Sequence, residues 1–138
     1  MRLYLDANAI VYLIEGAPEL RETVLAWIEQ AEAKKDGLLL TSYLSTVECR
    51  VKPLREGDSG RLALFDGFFV RDRLLVVDVT RPILDATATL RARYGLKTPD
   101  AIHLATALAH HATTLLTADR AFERAKDVRV VVIDPTRP

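Results

Sequence analysis

In LYLDANAIVYLIEG, residues 3–16, Asp6 separates a short apolar run from a second, helix-like one. A carboxylate buried without a partner costs several kcal/mol or takes up a proton. Asp6 must therefore cap a helix, bind a cation or open onto a cleft. Other acids pose the same question. Asp119 follows the strand-like TTLLT, Asp78 and Asp134 also lie near strand ends, and Asp100 stands in the first turn of TPDAIHLATALAHHA. In YLSTVECRV, Glu48 lies four residues after Leu44 and three before Val51, which puts all three on one helical side.

Each acid has a plain structural explanation. Asp6, Asp100 and Asp119 stand at expected helix starts, where an acid accepts backbone N–H bonds or complements the helix dipole for about 0.3 to 2 kcal/mol. Glu48 has Lys52 four residues on, an exposed pair worth a few tenths of a kcal/mol. Capping explains each residue alone; it does not bring them together. Carboxylates within a few ångströms repel one another and are partly protonated without a counter-charge. A hard divalent cation is the natural remedy, because Mg²⁺ or Mn²⁺ prefers oxygen ligands and shares its coordination with water and phosphate. Spacing alone does not choose which acids take part.

The elements that must position them follow from the pattern. Strand-like runs at residues 3–5, 38–40, 74–79, 114–117 and 129–133 are rich in Leu and Val without polar alternation, the mark of a sheet covered on both faces. Helical patterns lie between them at residues 8–15, 19–35, 43–52, 60–70, 82–94 and 99–112, with a short one after Asp119. Thr98 reads as an N-cap before Pro99, Gly95 as the stop of the preceding helix, and REGDSG, residues 55–60, as a loop between helices. This alternation predicts an α/β fold with a mainly parallel five-stranded sheet flanked by helices. In such sheets the ligand site lies beyond the carboxyl ends of the strands, which is where Asp6 and Asp119 fall.

The chain of 138 residues is 49% hydrophobic, which suits one domain spanning 1–138. Acids and bases balance at 19 each, which excludes coating of nucleic acid by bulk charge; any such site must be local. The single cysteine, Cys49, rules out an internal disulfide framework and reads as a small buried side chain. No apolar stretch has the length of a membrane span, so the expected location is the cytoplasm. His103 reads as a core residue, with a contact to Asp100 as the functional alternative, and Trp27 as core or subunit interface. The adjacent His110 and His111 point about 100° apart on a helix and make a poor acid/base pair.

The segments LDANAIVYLIEG, STVE, TPDAIHLATAL and LLTADRAF, in that order, resemble the PIN-domain ribonucleases, in particular the VapC-type toxins of prokaryotic toxin–antitoxin pairs. The resemblance implies a PIN-like three-layer sandwich and selects Asp6, Glu48, Asp100 and Asp119 as catalytic residues. Asp6, Asp100 and Asp119 would hold Mg²⁺ or Mn²⁺, Asn8 and Thr117 would support them, and Asp78 and Asp134 would be turn residues outside the site. It further implies an RNA substrate, a VapB-type antitoxin, a homodimer, and docking of partners on the early helices that carry Tyr43, Phe65, Phe68 and Phe69, where FDGFFV is too apolar for a solvent face and reads as core plus interface. Arg50, Lys52, Arg55, Arg71 and Arg73 are candidates for lining the path of an RNA backbone. The expected reaction is attack of metal-activated water on a phosphodiester, leaving 5′-phosphate and 3′-hydroxyl ends. The contrasting expectations are a phosphoaspartyl enzyme using Asp6, disfavoured by Asn8 where a second Asp belongs, and a catalytically weak PIN-fold binding module acting through antitoxin and operator DNA.

Overall fold

The computed structural model describes residues 1–133, in which the strands form one five-stranded sheet, every neighbouring pair parallel. The strands are β1 (Arg2–Leu5), β2 (Leu38–Ser42), β3 (Leu74–Val77), β4 (Thr114–Thr117) and β5 (Arg129–Val132), in the spatial order β3-β2-β1-β4-β5. The chain steps outward from β1 to β3, then returns to lay β4 on the other side of β1. The order therefore reverses between β1 and β4, with Leu5 opposite Leu116.

Alternation along the central strands builds two cores. Leu3, Leu5, Leu39 and Leu116 face one side, against Ala9 and Ile10 of α1 (Ala7–Glu15), Val24 and Ile28 of α2 (Pro18–Glu32), Cys49 of α3 (Tyr43–Glu56) and Phe65 of α4 (Ser59–Phe69). Tyr4, Leu40 and Leu115 face the other, against Ile83 and Leu90 of α5 (Arg81–Tyr94) and Leu104 of α6 (Thr98–Ala109). The result is the expected helix–sheet–helix sandwich. Trp27 packs partly buried against the first core with the Arg129 guanidinium over its ring.

Several boundaries differ from the sequence expectation, for local reasons. Helix α3 runs on to Glu56 with Pro53 inside it, and left-handed Gly57 then ends it. The loop expected at 55–60 thus shrinks, because Asp58 immediately caps α4 by accepting from Arg61 N–H. Thr98 is not the N-cap of α6; Lys97 takes that position without a side-chain bond, and Thr98 is already helical. Gly95 does end α5, in the left-handed conformation that a Cβ disfavours. Helix α6 stops at Ala109, with His110 as its C-cap and His111 at φ 57. The helix after Asp119 is a 3₁₀ helix, Arg120–Arg124. No helix among the described residues is long and apolar enough to cross a membrane.

Candidate active site

Asp6 ends β1 and caps α1, so capping and proximity to other acids are compatible. Its Oδ1 accepts from the Ala7 N–H at 2.8 Å and its Oδ2 from the Thr117 hydroxyl at 2.8 Å. The β1–β4 register sets this second bond, since the Asp6 N–H also donates to the Leu116 carbonyl across the switch point. Thr117 Oγ1 in turn accepts from the Asp119 N–H at 3.0 Å, and Asp119 Oδ1 accepts from Ala121 N–H to start the 3₁₀ helix. Asn8 closes the same corner from α1: its Oδ1 accepts from the Ala118 N–H at 2.8 Å. Asp6 and Asp119 are thereby fixed at the carboxyl ends of adjacent strands.

Asp100 enters from the first turn of α6, half-buried, and close enough to Asp6 and Asp119 for their charges to act on its carboxyl. Burial first, then the charges of Asp6 and Asp119, push its pKa up to about 6. Burial also raises the Asp6 carboxyl, which is 3% exposed, against the opposing pull of His103, Thr117 and the Ala7 amide. These are the signs of carboxylates short of positive charge. Among the described residues, no group of three or more His, Cys, Asp or Glu closes into a ready-made metal cage.

Glu48 comes over the site from α3. Its Oε1 lies 2.6 Å from His103 Nε2, and the same nitrogen is 3.4 Å from Asp6 Oδ1. The expected alternative for His103, a contact to Asp100, is therefore replaced: the imidazole bonds Glu48, and Asp100 reaches it only as a nearby charge. His103 is fully buried; desolvation pulls its pKa down, but the Glu48 hydrogen bond and the surrounding acids outweigh this and raise it. Its other nitrogen, Nδ1, meets the Tyr4 hydroxyl at 2.7 Å. Tyr4 is the residue that sequence reasoning missed. Its signal was a phenol on the central strand, one residue from flanking leucines that face the opposite core, where a buried hydroxyl demands a partner. Thr41 and Ser45 also went unread; Thr41 donates to the Leu5 carbonyl and pairs with Ser45 beneath the site.

The other candidates separate. Asp78 is exposed just beyond β3, at the edge of the sheet; Asp134 lies outside the described residues. Arg50 pairs with Asp66 across α3 and α4 at 2.9 Å, while Lys52 and Arg55 are exposed on α3. Arg71 and Arg73 do not join them: Arg71 pairs with Glu32, and Arg73 donates to the carbonyls of Glu32, Lys34 and Gly37 at the opposite edge of the sheet. Cys49 is buried near the acids, and desolvation with the charges of Glu48 and Asp6 pushes its thiol up to about 12. An apolar cleft of about 630 Å³ between α5 and α6, lined by residues such as Pro82, Ile83, Leu108 and His110, includes none of the acids.

The PIN domain family matches residues 3–128. No curated protein matches the sequence closely enough to count as a relative. Among solved structures, the fold is similar to a chain of VapBC2 from Rickettsia felis, bound to a DNA fragment from its promoter, with a TM-score of 0.79 at 20% identity over 97% of this chain and 100% of that one. It is similar to FitAcB from Neisseria gonorrhoeae, with a TM-score of 0.68 at 21% identity over 93% and 95% of the two chains. It also resembles Mycobacterium tuberculosis VapC20, described as a sarcin–ricin loop cleaving toxin, with a TM-score of 0.70 at 16% identity over 92% and 98%.

Proposed function

Because the chain belongs to the PIN domain family, we propose that residues 1–138 form one metal-dependent endoribonuclease domain of the VapC toxin type, inhibited by a VapB-type antitoxin. The observation that carries the reading is the crowding of Asp6, Asp100 and Asp119 at the β1–β4 switch point, with the Asp100 carboxyl pushed to about 6 by burial and then by the charges of Asp6 and Asp119. Helix capping leaves this crowding without a purpose. The donor set suits Mg²⁺ or Mn²⁺: all three side chains offer carboxylate oxygens, and such ions take few protein ligands and keep several waters, so a closed cage is not required. Bound there, the cation supplies an acidified water and offsets charge on the phosphate.

Each residue has a defined part. Asp6, Asp100 and Asp119 hold the cation, and the Thr117 hydroxyl and Ala7 amide fix the orientation of Asp6. Asn8 ties α1 to the loop carrying Asp119. Glu48, at the rim with its side chain 35% exposed, accepts a proton from the attacking water. Arg50 and Lys52 contact the RNA backbone; the exposed Arg50–Asp66 pair exchanges for a phosphate at little cost. A stripe on α3, Tyr43, Val47, Val51 and Leu54, is between 42% and 59% exposed, and supports docking of a second subunit or of the antitoxin on this helix. Phe65 and Phe68 take the core part of the expected core-plus-interface role.

The test is incubation of partner-free protein with structured RNAs, in Mg²⁺ or Mn²⁺ and then with chelator, followed by end-group mapping. Cation-dependent cuts with 5′-phosphate and 3′-hydroxyl ends are expected. Cyclic phosphate ends or chelator-resistant cleavage would remove the metal from the scheme, and an uncut pool would favour the binding module.

A further inference from the structure

A chain of hydrogen bonds, buried at Tyr4–His103 and partly buried at His103–Glu48, runs from the sheet to the rim of the site: Tyr4 on β1, His103 on α6 and Glu48 on α3 come from three separate elements. A carboxylate only accepts, so the hydrogen between His103 and Glu48 belongs to Nε2 whatever the charge of the ring. On the other side, the Tyr4 hydroxyl either donates to or accepts from Nδ1, so the ring keeps its orientation in both forms. Tyr4 and His103 have no accessible surface, and their rings meet edge to face with centroids 5.8 Å apart. A ring held in this way cannot turn without leaving polar atoms unpaired in the core. Glu48, by contrast, is on the rim; left alone, its flexible side chain is free to swing toward any cation beside Asp6.

We propose that His103, anchored by Tyr4, is a positioning residue that holds the Glu48 carboxylate above Asp6 and keeps it out of the direct ligand set of the cation. The proposal rests on the metal-dependent reading of the site. It adds a division of labour: three aspartates ligate, and the glutamate is reserved for water and proton. Glu48 Oε1 is occupied by Nε2–H, while the side chain keeps about a third of its surface exposed.

The experiment uses the whole chain, in two measurements without RNA and one with it. Manganese titration compares the parent with Tyr4→Phe, which keeps the core volume, with His103→Ala, and with each variant combined with Glu48→Gln. Freed Glu48 should join the ion, so Tyr4→Phe and His103→Ala should bind Mn²⁺ about tenfold more tightly, and the gain should vanish when Glu48→Gln is present. Imidazole ¹⁵N spectra of the metal-free parent should show a slowly exchanging Nε2–H whose shift moves in Glu48→Gln. With RNA, the same variants should lose kcat with KM unchanged, and the two losses should not add. Unchanged or weaker Mn²⁺ binding in both single variants, or a fast-exchanging ring indifferent to Glu48→Gln, overturns the proposal. An inactive or Mn²⁺-blind parent defeats the nuclease reading instead, and the nitrogen spectra still decide whether His103 holds Glu48.

Discussion

The two edges of the sheet obey the same electrostatic rule and reach opposite ends. At the carboxyl edge, helix N-termini carry Asp6, Asp100 and Asp119; at the amino edge, arginines meet helix C-terminal carbonyls, Arg2 on His110 and Arg73 on Glu32. Both arrangements complement the helix dipole. The difference lies in what surrounds each charge. Arg73, with its backbone at φ 65, bonds three carbonyl oxygens at 2.8 to 3.0 Å, and Arg2 shares one carbonyl through two nitrogens. Those cations are spread apart and each is satisfied. The acids are drawn together, and burial with the charges of Asp6 and Asp119 raises the Asp100 carboxyl to about 6. A terminal charge that is satisfied holds the fold; terminal charges crowded on one another repel and take up protons more readily.

The sharpest way to break this contrast is Asp6→Asn. Cleavage of RNA should fall by about a thousandfold, about 4 kcal/mol in the barrier, while the metal-free melting temperature holds or rises as repulsion is relieved. A parent-like rate in a gel-based cleavage assay would move the chemistry elsewhere. Adding Mg²⁺ at about a hundredfold excess over its Kd should stabilise the parent by about 2.7 kcal/mol in urea unfolding, and Asp100→Asn should lose most of that gain. At the other edge, Arg73→Ala should cost about 2 kcal/mol of stability and leave the cleavage rate alone. Equal damage to activity would mean that the edges are coupled.

A smaller effect concerns pH. Between the ordinary carboxylate value of 3.8 and about 6, folded metal-free protein holds an Asp100 proton that the unfolded chain has released. Stability from this source is therefore gained as pH falls through that window and lost as pH rises to 7. The raised His103 acts with the same sign, since its bound proton favours the folded state at the lower pH. Melting curves of chelated protein should show a higher midpoint at pH 5 than at pH 7, and Asp100→Asn should flatten the difference. Smallest of all, Arg50→Ala should raise KM modestly and reduce the salt slope of RNA binding by about 0.7, the signature of one lost phosphate contact.

How much of this was legible in the sequence depends on how local the cause was. Asp6 and Asp119 follow apolar runs, and Asp100 opens an apolar helix, so their placement at one edge followed from a parallel sheet alone. The choice of these acids over Asp78 came from family resemblance, because periodicity does not say which strands are neighbours. The same gap hid the Tyr4–His103–Glu48 chain, which exists only because β1 lies at the centre of the sheet, packed against α6. Arg73 was misplaced on an RNA path because nothing around it in sequence announces a left-handed residue whose side chain reaches back to the α2–β2 loop. Lys97 displaced Thr98 as cap through a shift of one residue, and helix ends are uncertain on that scale.

The place of β1 also sets a timetable for synthesis. Thr117 is translated 111 residues after the aspartate to which it donates, and β4 must leave the ribosome before the first strand can be paired on both sides. Pairings so distant along the chain form late, and domains emerge N-terminus first. A nascent polypeptide therefore carries Asp6 through most of its elongation beside an open sheet edge, with neither Asp100 nor Asp119 yet in place, so whatever chemistry the finished pocket performs is withheld from the translation machinery that is making it.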